Sequence, residues 1–158
     1  MRLSTLAAAL TLPLAAAQGQ VPARFTPEQI RAAVVDDIRA KVREGGGAYR
    51  LRDELTGEVL ELEMEQVAMV STEGLWRIHD PTRKVSPDAR GYFACVNFHP
   101  RGGPPEKRYD IDIRVSTDGG KLAVAEVLIH RVPRLVDGKW TWEARFRKEK
   151  VEPAGGAR

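Results

Sequence analysis

The sequence predicts an α+β domain in which one N-terminal amphipathic helix packs on a curved, mainly antiparallel sheet of about five to six strands. Two observations predict this class. Apolar residues recur at helical spacing between Ile30 and Val42, whereas the segments after Tyr49 mostly alternate apolar and polar residues, with turn signals between them. One helical pattern followed by strands with hairpin-length connections is typical of a helix layered on an antiparallel sheet.

The segment before the helix has the pattern of a signal peptide over residues 1–17. Arg2 supplies the positive charge, Leu3 to Leu14 is mostly apolar, and Ala15 to Ala17 fits a small-residue cleavage site before Gln18. The apolar run is shorter than the roughly 20 residues of a membrane-spanning helix. We therefore expect an exported chain, periplasmic or extracellular, with an uncleaved interfacial anchor as the alternative.

The rest of the chain is predicted to be a flexible tail over 18–25, a single domain over 26–151 and a disordered tail over 152–158. A domain of this length buries a sizeable core without a metal or a disulfide bond. Cys95 is the one cysteine, so no intramolecular disulfide is expected. No later segment is apolar enough for a second membrane segment. The net charge of +3 is too small to indicate nucleic acid, which we do not expect as a partner.

The helix is predicted to run from Pro27 to Glu44. Thr26 is a good N-cap, proline is tolerated at the first helical position, and Gln29 completes a capping box. The three glycines from Gly45 end the helix. The apolar stripe that faces the sheet comprises Ile30, Ala33, Val34, Ile38 and Val42.

The strand patterns follow in chain order, with turn signals at Thr56-Gly57 and Asp137-Gly138 and a polar loop over Asp80–Gly91. They cover Tyr49–Leu51, Val59–Val70, Leu75–Ile78, Tyr92–Phe98, Tyr109–Val115, Leu122–Val132 and Lys139–Phe146. A sheet curved around one helix resembles the cystatin-like and transport-factor-like folds. The analogy concerns the fold alone, because such folds host unrelated functions.

Histidines and carboxylates near strand ends are the candidates for catalysis or metal binding: His99, His130, Asp110 and Asp112, with His79 at an earlier strand end. Such a set binds zinc or transfers protons if the strand ends converge. However, the sequence contains no HxH, HExxH or CxxC motif. We therefore expect surface histidines, no metal and no cofactor.

Two further candidates are interpreted structurally. Asp110 and Asp112 share a strand face with Arg114, and the alternation favours a solvated polar face over a pair of catalytic carboxylates. Cys95 lies in an apolar sequence that offers no nearby cation, which favours a packed, inert thiol over a nucleophile.

Charge is uneven along the chain. Acidic residues dominate from Asp53 to Glu65, with Glu61, Glu63 and Glu65 on one strand face, whereas basic residues dominate the C-terminal part. Complementary ladders of charge on the outside of the sheet are the favoured interpretation. The alternative is a basic binding surface for an acidic partner or an anionic envelope component, formed by Arg145, Arg147, Lys148 and Lys150.

Trp140 and Trp142 share one predicted strand face with Ala144 and Phe146. Packing in the core is the favoured interpretation. If the sheet curves and leaves this face partly open, the two indole rings form a binding platform instead.

These observations favour a non-catalytic binding module that recognises a protein or envelope ligand, because patterned surfaces are present and a catalytic motif is not. The alternative is a small hydrolase or metal-binding protein that uses His99, His130, Asp110 and Asp112. A purely structural protein is the third possibility, which self-association would reveal. The oligomeric state stays open.

Overall fold

The computed structural model describes residues 25–71, 75–79, 89–118 and 120–151. The predicted signal peptide over 1–17 and the predicted tail over 152–158 lie outside these residues. The elements are α1 (Pro27–Glu44), β1 (Tyr49–Arg52), β2 (Val59–Ser71), β3 (Leu75–His79), β4 (Ala89–Arg90), β5 (Tyr92–Pro100), β6 (Tyr109–Asp118), β7 (Lys121–Val136), β8 (Lys139–Ala144) and β9 (Arg147–Val151).

Six strands form an open antiparallel sheet in the order β1-β2-β5-β6-β7-β8, and α1 packs against one face of it. A second, three-stranded sheet has the order β4-β3-β9. Because successive strands of the large sheet are spatial neighbours, short turns connect most of them. The predicted α+β class, with one helix on an antiparallel sheet, is confirmed. No helix in the described ranges is long and apolar enough to cross a membrane.

Helix α1 begins and ends where the sequence predicts. The Thr26 hydroxyl accepts a hydrogen bond from the Gln29 amide at 3.3 Å, and the Gln29 side chain accepts one from the Thr26 amide at 2.8 Å. This capping box satisfies two amides that lack partners within the helix. At the other end, a Cβ on Gly45 would lie 2.3 Å from the carbonyl oxygen of Ala48, so only glycine fits there.

The main core lies between α1 and the sheet. Ile30, Val34 and Ile38 are at most 1% exposed and form the helix side of this core. Alternate residues of the strands form the sheet side, because side chains along a strand point to opposite faces. They include Tyr49, Leu60, Leu62, Ala94, Val96, Phe98, Tyr109, Ile111, Ile113 and Val115.

The end of the domain differs from the prediction of one strand over Lys139–Phe146. Strand β8 ends at Ala144, the chain bends at Arg145 and Phe146, and β9 then pairs with β3 in the second sheet. Burial of the Phe146 ring and an ion pair of Arg145 accompany the bend. Arg145 and Arg147, two of the residues predicted to form a basic binding surface, therefore do not lie on one strand. Strand β4 is a further difference, because it lies inside the predicted loop over 80–91.

The Arg145 guanidinium group forms two hydrogen bonds to Asp53, both of 2.5 Å, across 92 residues of sequence. Asp53 is 3% exposed and lies in the turn between β1 and β2, whereas Arg145 follows β8. The pair thus joins the two ends of the curved sheet. The hydrogen bonds from Arg145 lower the pKa of the Asp53 carboxyl group to about 2, so Asp53 is ionised at neutral pH.

Candidate functional site

The sheet face opposite α1 is not the solvated polar face that the alternation suggested. Asp110 and Asp112 do share this face, but they are only 7% and 1% exposed. The prediction of a solvated pair is therefore wrong. Buried carboxylates require hydrogen bonds or positive charge around them, because transfer of an unpaired charge from water is costly. The environment of these two residues is the first candidate site.

A β-bulge in β7 brings two consecutive side chains to this environment. The register between β6 and β7 shifts between Asp110 paired with Arg131 and Ile111 paired with Ile129, which leaves His130 as the extra residue. His130 and Arg131 both reach Asp110, at 3.2 Å and 3.8 Å respectively. Bulges redirect side chains and occur often beside functional sites.

The distances define a compact cluster, which we call the buried polar cluster: Cys95 on β5, Asp110 and Asp112 on β6, and His130 on β7. His130 Nδ1 lies 3.2 Å from Asp110 Oδ2 and 3.6 Å from Asp112 Oδ2. The Cys95 thiol donates a hydrogen bond to Asp112 Oδ1, with a sulfur–oxygen distance of 2.9 Å. Ligand atoms of Cys95, Asp110 and Asp112 all lie within 4.8 Å of one another.

Apolar side chains border the cluster. Phe93, Leu128 and Phe146 form a second, smaller core, and the Phe146 ring lies 4.8 Å from the His130 ring at an interplanar angle of 31°. The bend after β8 therefore places an aromatic ring against His130. These contacts limit the access of water and strengthen the electrostatic interactions inside the cluster.

The candidate histidines lie in different environments. His130 is buried, so the expectation that it is a surface residue is wrong. His99 lies elsewhere: its Nε2 is 3.9 Å from Glu63, and its Nδ1 is 3.2 Å from the Pro100 carbonyl oxygen. Among the described contacts, none joins His99 to Asp110, Asp112 or His130. The side chain of His79 lies outside the described residues.

Cys95 is buried, at 7% exposure, as the sequence favoured. Its surroundings are nevertheless not simply apolar, because the thiol contacts the Asp112 carboxylate. The sequence neighbours of Cys95 did not predict this contact, because Asp112 lies opposite Cys95 on the adjacent strand. Strand alternation combined with the correct register would have identified it.

The second candidate site is the outer face of the β7–β8 hairpin. Pro133 pairs with Trp142 and Leu135 with Trp140, so all four side chains project to one face. Trp142 is 42% and Leu135 57% exposed, and Trp140 is only partly buried. The prediction that the two tryptophans pack in the core is therefore wrong. We call Pro133, Leu135, Trp140 and Trp142 the tryptophan face.

A positively charged side chain lies over each of the two indole rings. The Lys107 ammonium lies 5.6 Å from the centre of the Trp140 ring, and the Arg131 guanidinium lies 5.4 Å from that of Trp142. Both distances are within the range of cation–π attraction. The tryptophan face thus combines apolar area with positive charge.

Charged residues elsewhere form local pairs. On β2, Glu61 contacts Arg50 at 2.6 Å and Glu65 contacts Arg108 at 2.8 Å, which are charge pairs between neighbouring segments. Arg145 forms an ion pair with Asp53 and is therefore not available to the predicted basic binding surface. Arg147 is exposed, and the side chain of Lys148 lies outside the described residues.

Comparison of this chain with protein-family models, with curated proteins and with solved structures finds no match. The geometry of the buried polar cluster and of the tryptophan face is therefore the basis for inferring function. The first has the chemistry of a metal ligand set, and the second has the chemistry of a binding surface.

Proposed function

We propose that this chain is an exported binding module that recognises a protein partner through the tryptophan face and the adjoining edge of β8. The observation that carries the proposal is the exposure of Trp142 and Leu135 on one face of an ordered hairpin. Large apolar side chains that lie together on a surface are typical of interaction sites. Tryptophan in particular contributes strongly to binding when a partner buries it.

The edge of β8 supports a protein partner in particular. Strand β8 is the last strand of the large sheet, and within the described ranges it pairs with β7 alone. Its six residues, Lys139–Ala144, contain no proline and no buried side chain. An extended peptide that pairs with such an edge gains main-chain hydrogen bonds, and side-chain contacts on the adjoining face add specificity.

The charges beside the indole rings favour an acidic partner segment. Lys107 and Arg131 lie over Trp140 and Trp142, and Lys139 is exposed at the start of β8. Acidic side chains next to apolar ones would pair with these cations as the indole rings become buried. Charge complementarity of this kind raises association rates and excludes partners of the wrong sign.

Trp142→Ala is expected to reduce partner capture about tenfold or more, because truncation of a central tryptophan commonly costs about 2 kcal/mol of binding free energy. The measurement is photo-crosslinking in an envelope extract of the producing cell, with the crosslinking residue at position 135, which is opposite Trp140 and on the same face as Trp142. A protein carrying the crosslinker at position 55 is the control, because Leu55 is similarly exposed, at 53%, in the turn between β1 and β2. Equal products from positions 135 and 55, or none, contradict the proposal.

Pairing of β8 strands from two copies of this chain is the alternative that the experiment must distinguish from binding of another protein. In an antiparallel pair of β8 strands centred on Thr141, Lys139 would face Glu143 and Trp140 would face Trp142, which are favourable cross-strand pairs. Analytical ultracentrifugation of the purified chain measures this directly. A crosslinked product made of two copies of the chain would replace the proposed partner with a structural, self-associating role.

Export is part of the same proposal and is supported by residues 1–17, with Arg2 before an apolar run that ends in Ala15 to Ala17. The mature chain is expected to begin at Gln18 or within a few residues of it. Mass spectrometry of protein recovered outside the cytoplasm tests this expectation. Recovery with Met1 intact would indicate an uncleaved anchor instead.

A further inference from the structure

We propose that the buried polar cluster, Cys95, Asp110, Asp112 and His130, is a binding site for a divalent transition-metal ion of the zinc class. The proposal is independent of the binding function proposed for the tryptophan face. Three adjacent strands supply the four side chains, which meet on the sheet face opposite α1. Thiolate, imidazole and carboxylate are the three groups through which proteins bind zinc.

The separations of most donor atoms approach those of a single small ion, although the set whose ligand atoms all lie within 4.8 Å of one another is Cys95, Asp110 and Asp112, without His130. Metal–ligand distances of about 2.0–2.3 Å place the ligand atoms of a tetrahedral site about 3.3–3.8 Å apart. In the cluster, His130 Nδ1 lies 3.2 Å and 3.6 Å from the nearest oxygens of Asp110 and Asp112. Cys95 Sγ lies 2.9 Å from Asp112 Oδ1. Binding of one ion by all four residues therefore requires movement of side chains, of His130 above all, together with loss of the thiol proton.

Unsatisfied atoms inside the cluster point independently to a ligand. His130 Nδ1 and Asp110 Oδ1 are buried and form no hydrogen bond among the described residues. The side chains of His130 and Asp110 are 8% and 10% exposed. The contact between His130 and Asp110 has the distance of an ion pair but not the geometry of a hydrogen bond. A buried polar atom without a partner is destabilising, and a metal ion bound by both residues would remove that penalty.

The nature of the donors decides the class of ion. Calcium and magnesium prefer ligand sets made only of oxygen, whereas sulfur and imidazole donors favour zinc and its neighbours in the periodic table. The buried Asp110 carboxylate also needs positive charge, and Arg131 compensates it only in part, because Arg131 lies 3.8 Å from Asp110 and is 41% exposed. A divalent ion would supply that charge at the centre of the cluster.

The proposal departs from the expectation of no metal, which rested on the absence of a local motif. A local motif is expected only where the ligands are neighbours in sequence. Here the ligands are neighbours across strands: Cys95 is opposite Asp112, and the bulge at His130 adds the fourth group. His99, which the sequence placed in the same candidate set, contacts Glu63 instead.

Cobalt and zinc titrations of the purified chain, first freed of metal by a chelator, test the site. We expect one ion per chain, and we expect cobalt to produce the ultraviolet charge-transfer absorption of a cobalt–thiolate bond. Because Cys95 is the one cysteine in the sequence, this absorption reports Cys95 alone. Zinc competition with a chromophoric chelator gives the affinity, and zinc should raise the thermal unfolding temperature.

His130→Asn and Asp110→Asn are each expected to weaken zinc binding by at least about 100-fold, because even residues that only support a metal ligand contribute about 10–100-fold. Cys95→Ser should abolish the cobalt–thiolate absorption. His99→Gln is the matched control and should leave both measurements unchanged. Circular dichroism of each metal-free variant identifies any that fail to fold.

Three results would overturn the proposal. These are no zinc binding by the metal-free chain, cobalt binding without thiolate absorption, and equal weakening of binding in His130→Asn and His99→Gln. Even if the cluster variants fail to fold, the first two results depend only on the unaltered chain. Binding of one ion per chain with thiolate absorption, lost in His130→Asn but not in His99→Gln, supports the site.

Discussion

Arg145→Ala should lower the free energy of unfolding by about 3–5 kcal/mol, the usual cost of removing one partner from a buried ion pair. Asp53 is 3% exposed, and Arg145 binds both of its carboxylate oxygens. Without Arg145, the buried Asp53 would lose the cation that binds both of its carboxylate oxygens, and the two ends of the sheet would lose this connection. Urea denaturation at neutral pH, followed by circular dichroism, measures the change.

The decrease in the free energy of unfolding at low pH gives a second measurement of the ion pair between Asp53 and Arg145. The pKa of Asp53 is lowered to about 2 from 3.8, so its contribution is complete above about pH 4 and is lost as the pH falls through 2. The pKa shift corresponds to about 2 kcal/mol of unfolding free energy that is lost on acidification, and Arg145→Ala should remove this pH-dependent part. Arg134→Ala is the control: Arg134 pairs with Glu143 at 3.4 Å on the surface and should cost at most about 1 kcal/mol. Similar losses for both variants would contradict the role of the pair.

Helix α1 could be predicted in full because its signals are local. Thr26 and Gln29 cap one end, Gly45 ends the other, and the apolar stripe identifies the buried side without knowledge of the partner surface. The hairpins could be predicted for the same reason. At the turn between β7 and β8, Asp137 and Gly138 both adopt positive φ angles, of 49° and 76°, which an Asp-Gly pair accommodates well.

The buried polar cluster could be predicted only in part. Alternation places Asp110 and Asp112 on one face, but it does not say whether another segment covers that face. The bend that seats Phe146 against His130 depends on contacts distant in sequence. The bulge at His130 is likewise a matter of register between β6 and β7, which side-chain types alone do not determine.

The exposure of the tryptophan face could not be predicted from the sequence, for a related reason. Tryptophan is usually well buried, and the alternation of β8 correctly placed Trp140 and Trp142 on one side. Exposure depends on the position of the strand within the sheet, however, and β8 is the last strand in the order. The sequence identifies a pair of aromatic residues, whereas the strand order decides that they face outward.

Ile38→Ala should lower the free energy of unfolding by about 2–5 kcal/mol, through lost burial and the cavity that remains. Ile38 is 1% exposed and lies on the stripe of α1 that forms the main core with Ile30 and Val34. Arg39→Ala, one residue further along, is the control: its side chain is 67% exposed and should change stability by no more than about 0.5 kcal/mol. Urea denaturation of the two variants, with unchanged dependence on urea concentration, makes the comparison. If Ile38→Ala has an effect as small as that of Arg39→Ala, α1 does not pack on the sheet in solution, and its apolar stripe would have to be explained as a surface for a partner.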